Sequence, residues 1–544
     1  MRVLKKTLFK KEVFFVFLIT IIAFFIRHYN LRDNFIFGYD QTRDALRIYS
    51  MIKEKDIKLV GQETDIPGVF HGPLTYYLML PFYYFSNFDP NIVVYLFLIS
   101  DLINGIIIYY SAKIIFNNKI IAFLSLFTHV FSYISISYSR FISNASLLPL
   151  GINIFYLGAI LFFLKKKKVG LLVLGLGLGL AINFNFLAVY LILLTFVYFY
   201  YYKKKVFLGS FLIFIIPFII LMSPFIIADV KWNFIISKSL LNFLINNSLK
   251  EDISLINFVN LIITKLTEFV YYTFFSFNFI IAFVFLIFII SYPYISKVSK
   301  NLRKRLFLLY FPLFIHVFLL SFKVGVANSP WILSGCYLPL TLLANFFLFN
   351  FFKINTLNSK WFFLMLFIFF VSNLNLIVKD KELVKIFSIQ RILLKDVKAV
   401  VNYISSNEVF SICSVSNPLF YNTNWAFAFK ILNKRNNIVF WSGPKQETKS
   451  YLPYDKNHVK LRFLIIEPLG GIPNYAKKAT LYKEDQISKL IEEKRFGDII
   501  VQKRILTKNT NELVDTQNLS PQEKIELEKI IRKDYRYSCF HNYD

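Results

Sequence analysis

The chain has 544 residues, 56% hydrophobic and 19% aromatic, with a mean hydropathy of +0.53 and a formal net charge of +29. A soluble domain is about half apolar but does not carry repeated uncharged runs of roughly 20 residues, the length that crosses a bilayer core, so the composition points to a polytopic membrane protein. The positive charge sits in short clusters between apolar runs, as at Lys165–Lys168, Lys203–Lys205 and Arg303–Arg305; this pattern marks cytoplasmic loops, and no groove-reading or base-stacking motif argues for nucleic acid.

The first apolar run, Val13–Ile26, follows Arg2, Lys5, Lys6, Lys10 and Lys11. Arg27, His28 and Tyr29 come next rather than a small-residue cleavage site, so an uncleaved helix with its N-terminus inside is expected. Residues 28–91 then form the first outer loop. It contains Phe37-Gly38-Tyr39-Asp40-Gln41-Thr42-Arg43-Asp44 and His71-Gly72-Pro73-Leu74-Thr75-Tyr76-Tyr77. Further spans are expected at Ile92–Ile115, Ile120–Tyr138, Ala145–Leu164, Val169–Asn183, Phe186–Tyr202, Val206–Ala228, Phe269–Tyr294, Leu306–Phe322, Trp331–Phe352 and Trp361–Val378, about eleven in all. The run Val169–Tyr202 is too long for one helix, and Asn183 and Asn185 supply a polar break. With this topology Lys119, Lys297–Arg305, Lys353 and Lys360 join the other clusters inside, while the short outer turns keep Arg140 and Lys323. Gly175, Gly177 and Gly179 alternate with Leu inside a span and lack the preceding strand of a phosphate loop, so they read as a close helix-packing stripe.

Past Val378 the composition changes, and a small extracytoplasmic α/β domain is expected over 379–506, separate from a membrane domain at 1–378. Its strands are read at Phe410–Val415, Asn437–Trp441, Leu461–Glu467 and Asp498–Lys503, its helices at Leu393–Ser406, Leu419–Leu432 and Lys483–Lys494. Residues 507–544 read as a linker, Thr507–Leu519, and a last helix, Pro521–Lys533, opened by Ser520, Pro521 and Glu523. Cys336, Cys413 and Cys539 contain no CxxC pair, which excludes a thiol metal cluster and leaves a Cys413–Cys539 bridge open. Neither a nucleophile elbow nor an HExxH motif is present.

Chemistry is therefore sought in the outer loops. If Thr42–Ile52 is helical, Asp40 and Asp44 approach one face with Arg43 and Arg47 beside them. A carboxylate there can take a proton from a hydroxyl if burial or a neighbour brings its pKa towards the working pH; the alternative is a pair of solvated acids matched to the arginines. Asp101 is costly inside a span, but Asn104 three residues on favours helix–helix hydrogen bonding over catalysis.

The order of these features, carried by Gly38–Ala45, His71–Leu80, Ser139–Leu150, Gly175–Asn185 and Tyr337-Leu338-Pro339-Leu340, resembles the GT-C superfamily of polyprenyl-phosphate-dependent glycosyltransferases, in particular the bacterial aminoarabinose transferases and protein O-mannosyltransferases. The resemblance implies an α-helical polytopic membrane enzyme with a C-terminal α/β domain and a sugar donor on a polyprenyl phosphate. It also implies a cell-envelope acceptor and a plasma or inner membrane location. It makes Asp40 the catalytic base, with Asp44 either a second acid or a structural one. For the leaving phosphate the candidates are Arg140, Lys323, His71 and Arg43. The family pattern places a second acid directly after the first. Here Gln41 stands there, a poor ligand for a hard cation, so neither a metal nor another cofactor is assigned. A lipid or polysaccharide transporter and a non-catalytic envelope-assembly protein remain the alternatives, the former calling for broken helices and polar residues near mid-membrane.

Overall fold

A computed structural model describes residues 2–64, 66–202, 208–246, 255–275, 278–295, 299–320, 334–352, 358–381, 383, 391–416, 421–433, 435, 437–443, 452–456, 458–468, 474–507, 520–522 and 524–525. The chain divides into two compact units. One comprises Met1–Leu31, Lys58–Leu78 and Val94–Ile386, and the other Arg32–Ile57, Met79–Val93 and Phe387–Asp544.

In chain order the helices are α1 (Arg2–His28), α2 (Tyr39–Lys53), α3 (Leu74–Phe85), α4 (Pro90–Phe116), α5 (Lys119–Phe131), α6 (Tyr133–Tyr138), α7 (Asn144–Ala159), α8 (Val169–Phe184), α9 (Tyr190–Tyr201), α10 (Leu208–Lys231), α11 (Ile235–Asn246), α12 (Leu255–Thr273), α13 (Phe279–Ile295), α14 (Lys300–Leu320), α15 (Ser334–Phe351) and α16 (Asn358–Lys379). Among the described residues, four helical stretches are long and apolar enough to cross a membrane: Pro90–Phe116, Asn144–Leu164, Gly209–Lys231 and Ser334–Phe351. Shorter apolar helices accompany them, including Lys119–Phe131, Val169–Phe184 and Phe279–Tyr292.

In the helical unit the glycine stripe is a packing device. A Cβ on Gly177 would collide with the Phe155 backbone on α7, and one on Gly175 with the Phe214 carbonyl on α10. Small residues here let three helices approach to backbone contact. The expected break falls at Asn185, whose side chain accepts the Leu187 N–H at 3.0 Å and opens a 3₁₀ turn, Phe186–Val189, leading into α9. Two expected single spans are split. Phe269–Tyr294 is interrupted because Asn278 accepts the Ile280 and Ile281 N–H groups at 2.8 and 3.1 Å and starts a new helix. Ile120–Tyr138 breaks at the extended Ser132, and Tyr133 N–H turns to Asn373 Oδ1 at 3.0 Å. Hydropathy cannot see either break, since both depend on one polar side chain.

The other unit is built on a five-stranded sheet of order β2-β1-β3-β5-β4, with β1 (Val409–Val415), β2 (Ile438–Trp441), β3 (Leu461–Ile466), β4 (Ser488–Phe496) and β5 (Ile499–Leu506). β1 pairs in parallel with β2 and β3, while β5 is antiparallel to β3 and β4. Alternate residues Phe410, Ile412, Phe463 and Ile465 face Val397, Val400 and Ile404 of α17 (Leu394–Ile404), with Trp425 of α18 (Thr423–Phe427) in the same core. Each such side chain fully buried contributes about 1.5–3 kcal/mol. Where a helix was expected at Lys483–Lys494, α19 (Asn474–Ile487) ends and β4 begins. The Glu- and Lys-rich stretch has helical propensity, but Gly497, at φ +59°, turns the chain back so that β4 pairs along β5. Cys413 is buried in β1; Cys539 lies outside the described residues, as do the expected linker Thr507–Leu519 beyond its first residue and most of the last helix.

Residues before α2 are stitched into this unit. Phe37 N–H donates to Ile392 O at 2.8 Å, Leu394 N–H to Phe35 O at 3.1 Å and Lys395 N–H to Asp33 O at 2.8 Å. Asp33 pairs with Lys398 at 2.5 Å and accepts from Asn91 Nδ2 at 2.8 Å.

Candidate functional site

The site is built from the first turn of α2. Gly38 is the N-cap, its N–H donating to Gln41 Oε1 at 3.0 Å while Thr42 N–H returns to Gly38 O at 3.0 Å. Gln41 is buried, and its amide oxygen, by accepting the Gly38 N–H, gives this neutral residue a structural role at the helix start. The helix start leaves Asp40 in the first turn, where a negative charge is favoured by the unpaired N–H groups.

Asp40, Arg43 and Asp44 form one cluster. Arg43 donates through Nη1 to Asp40 Oδ1 at 2.9 Å, and through Nη2 and Nε to Asp44 Oδ1 at 2.9 and 3.0 Å. Its guanidinium also lies 5.5 Å from the centre of the Tyr39 ring. The two acids differ in setting: the Asp40 side chain is 41% exposed and that of Asp44 only 7%. Burial pushes the Asp44 carboxyl above the usual range, Arg43 opposes this, and the charge of Asp40 adds to the rise. One cation thus holds two carboxyls, and the more open of them keeps oxygens that a substrate can reach. This is the arrangement a general base requires, a carboxylate fixed in direction yet accessible.

Two further residues, which long-range folding alone brings to Thr42, support α2. The Thr42 hydroxyl meets Asn424 Oδ1 at 2.6 Å, and Asn424 Nδ2 donates to Glu467 Oε1 at 2.9 Å. No sequence signal identifies this set, since Thr42 and Asn424 lie 382 positions apart.

His71 and Arg140 belong to the helical unit. His71 Nδ1 accepts the Phe186 N–H at 3.0 Å, so that nitrogen carries no proton and the neutral ring has its proton on Nε2. The adjoining Gly72 donates its N–H to Asn183 O at 2.9 Å, and a Cβ there would strike Asn183. Arg140 is buried and donates to the carbonyls of Tyr29 and Asn30 at 3.2 and 2.5 Å, just beyond the end of α1. Lys323 lies outside the described residues.

Asp101 sits in a buried polar network of the helical unit. It pairs with Arg27 at 2.6 Å, accepts from Ser135 Oγ at 2.9 Å, and its carbonyl meets His129 Nε2 at 3.0 Å, with His129 Nδ1 at 2.9 Å from the Tyr337 hydroxyl. Asn104 accepts from Asn153 Nδ2 at 2.9 Å. These bonds tie α1, α4, α5, α6, α7 and α15 together, in keeping with the helix–helix role expected for Asp101 and Asn104. The network also lines a small pocket with Tyr138 and Ser334. Among the described residues, no three His, Cys, Asp or Glu side chains gather as a metal-ion site.

Neither a protein-family model nor a curated protein matches the sequence. Solved structures do match. ArnT from Cupriavidus metallidurans bound to undecaprenyl phosphate superposes with a TM-score of 0.53 and 10% identity, over 90% of this chain and 97% of that one. The apo state of the same protein gives a TM-score of 0.55 at the same identity and coverage. The likeness extends over nearly the full length of both chains, and by it this chain has a GT-C-like fold.

Proposed function

We propose that the protein is an integral-membrane glycosyltransferase that moves a sugar from a polyprenyl phosphate to a hydroxyl of a cell-envelope acceptor on the outer face of the membrane. The observation that carries this reading is the Asp40–Arg43–Asp44 cluster at the start of the first-loop helix in a chain of GT-C-like fold. That a structural neighbour holds undecaprenyl phosphate supports the donor class. The N-terminus is then cytoplasmic and the sheet unit extracytoplasmic.

In the reaction, the Asp40 carboxylate accepts the proton of the acceptor hydroxyl as its oxygen attacks the anomeric carbon. The bond from that carbon to the phosphate oxygen breaks, polyprenyl phosphate leaves with the electron pair, and the anomeric configuration inverts. Arg43 aligns Asp40 and Asp44, donating to one oxygen of each carboxyl. The cations considered for the leaving phosphate are Arg140, Lys323, His71 and Arg43. Of these, Arg43 and Arg140 already hold protein oxygens, so their part is worth testing one by one.

A transporter is the second reading, and the buried Arg27–Asp101–His129 network is the observation that favours it. The deciding measurement uses purified full-length protein in nanodiscs with radiolabelled undecaprenyl-phosphate sugars and a mixture of envelope lipids and glycans as acceptors. Loss of transfer in Asp40→Asn by about a hundredfold or more, with undecaprenyl phosphate still bound, supports the transferase. Full activity in Asp40→Asn, or flipping of the intact lipid in proteoliposomes without transfer, rejects it.

A further inference from the structure

Thr42 lies two positions after Asp40 and one before Arg43, so its side chain fixes the turn that carries the acid. Its single hydroxyl proton has three acceptors in range: Gly38 O at 2.9 Å, Tyr39 O at 3.0 Å and Asn424 Oδ1 at 2.6 Å. The last is the shortest, and an amide oxygen has no proton to return, so the proton points to Asn424.

What keeps that oxygen facing Thr42 is Glu467. Its Oε1 accepts from Asn424 Nδ2 at 2.9 Å and from Trp425 Nε1 at 3.1 Å. Were the Asn424 amide turned over, its oxygen would face the Glu467 carboxylate and its NH₂ would face Thr42. The carboxylate therefore selects one amide orientation. Glu467 is itself buried and held, its N–H donating to Val415 O at 3.0 Å where β1 and β3 end side by side. In open sheets with parallel strands, the crevice beyond the carboxyl ends, where the connections diverge, is the place for a ligand. Here Ser414, Ser416, Asn424 and Glu467 gather at that end, all buried, and the chain of bonds runs outward to α2.

We infer that Glu467 and Asn424 are positioning residues for the base: the carboxylate sets the amide, the amide sets Thr42, and Thr42 holds the turn in which Asp40 meets Arg43. The inference rests on the reading of Asp40 as the base for its catalytic meaning, but not for its structural content. It implies that the sheet unit takes part in catalysis by holding the acid in one direction before substrate arrives, a role distinct from acceptor docking.

The test uses full-length protein in nanodiscs and reads hydrogen exchange of the peptide covering Gly38–Asp44, without substrate. Asn424→Asp places a second carboxylate against Glu467. At about pH 8 both are charged, and exchange in the 38–44 peptide, corrected for its intrinsic pH dependence, should rise about tenfold over wild type. At about pH 5 one proton shared by the pair restores the donor, and exchange should return to within about threefold of wild type. Thr42→Val should raise exchange at both pH values, whereas Thr42→Ser, which keeps the hydroxyl, should not. Peptides from β1 and β3 serve as the control for folding.

Transfer from an undecaprenyl-phosphate sugar should follow the same pattern in kcat, as a ratio to wild type at each pH, with the donor KM unchanged. The inference is overturned if Asn424→Asp leaves the 38–44 peptide protected at pH 8, or loosens it equally at both pH values. Loosening as described, with transfer unaffected by Asp40→Asn, would instead remove the base assignment and leave the anchor in place.

Discussion

Removing Arg43 alone separates the roles of the two acids that it bridges. In Arg43→Ala the Asp44 carboxyl stays buried, with Asp40 nearby and without the cation that donates to it at 2.9 and 3.0 Å. Breaking a buried pair by deleting one partner costs about 3–5 kcal/mol. Two features lower that figure. The contact to Asp40, whose side chain is 41% exposed, is screened and contributes at most about 1 kcal/mol. Asp44 can also escape by taking up a proton, at about 1.4 kcal/mol for each pH unit between its folded pKa and the ambient pH. A loss of about 2 kcal/mol near neutral pH is therefore expected, or about 4–8 °C in the midpoint of a unit of this size.

The sign with pH follows from the same group. The pKa of Asp44 is raised on folding, so between its unfolded and folded values the folded state binds more protons, and stability falls as pH rises through that window. Arg43→Ala widens the window upward, because the cation that lowered the pKa is gone. Thermal unfolding followed by Trp fluorescence, with Trp425 and Trp441 buried in the sheet unit, should show a larger variant deficit at about pH 8 than at about pH 5. Adding Asp44→Asn should recover most of it. An equal deficit at both pH values, or no recovery in the double variant, would refute the assignment of Asp44 as the buried, charge-penalised member.

Other changes test the surroundings. Gly177→Leu forces a side chain into the Phe155 backbone and should cost more than the about 1–3 kcal/mol of ordinary overpacking, seen as loss of monodisperse protein in detergent chromatography. Asp101→Leu leaves the Arg27 guanidinium buried without its carboxylate and should cost about 3–5 kcal/mol; Arg27→Met added to it should recover stability, as denaturant titration in mixed micelles would show. Asp33 has its pKa lowered: burial alone would raise it, but Lys398 and Asn91 more than compensate. Its contribution is present above the unfolded pKa and lost as pH falls through the folded one. Because the pair is partly exposed, Asp33→Asn should cost only about 1 kcal/mol at neutral pH and flatten the acid limb of stability, measured as a pH series of midpoints.

The helical character, the glycine stripe and the positions of β1, β2, β3 and β5 were legible in the sequence because each rests on a local period: apolar runs, alternating small residues, short β-branched stretches. What failed locally was what one residue or a distant partner decides. Asn278 and Ser132 interrupt apolar runs that hydropathy reads as continuous, and pairing with β5 turns Ser488–Phe496 from a helical stretch into a strand. In the site, the Asp40–Arg43–Asp44 spacing was readable because helical geometry puts those residues together. The support from Asn424 and Glu467 was not, since nothing in Asn424-Trp425 or in the residue after β3 marks a partner 382 positions away.

Under the proposed assignment of Asp40 as the base, that support is what lets it work from a loop. A carboxylate on a mobile surface segment spends its lifetime in many directions, and a proton transfer needs one. Here the segment before α2 is fixed by Phe37 N–H to Ile392 O, the first turn by the Gly38–Gln41 box, and the next residue by Thr42 to Asn424. Arg43 then fixes the acid itself. Each bond contributes only about 1 kcal/mol, but they act on consecutive residues, so loosening one leaves the others to carry the turn. It follows that single substitutions in this set should lower kcat in steps, while Thr42→Val combined with Asn424→Ala should cost no more than either alone, because both remove the same bond. A combined loss equal to the product of the two would mean that Asn424 acts on the reaction by another route than Thr42.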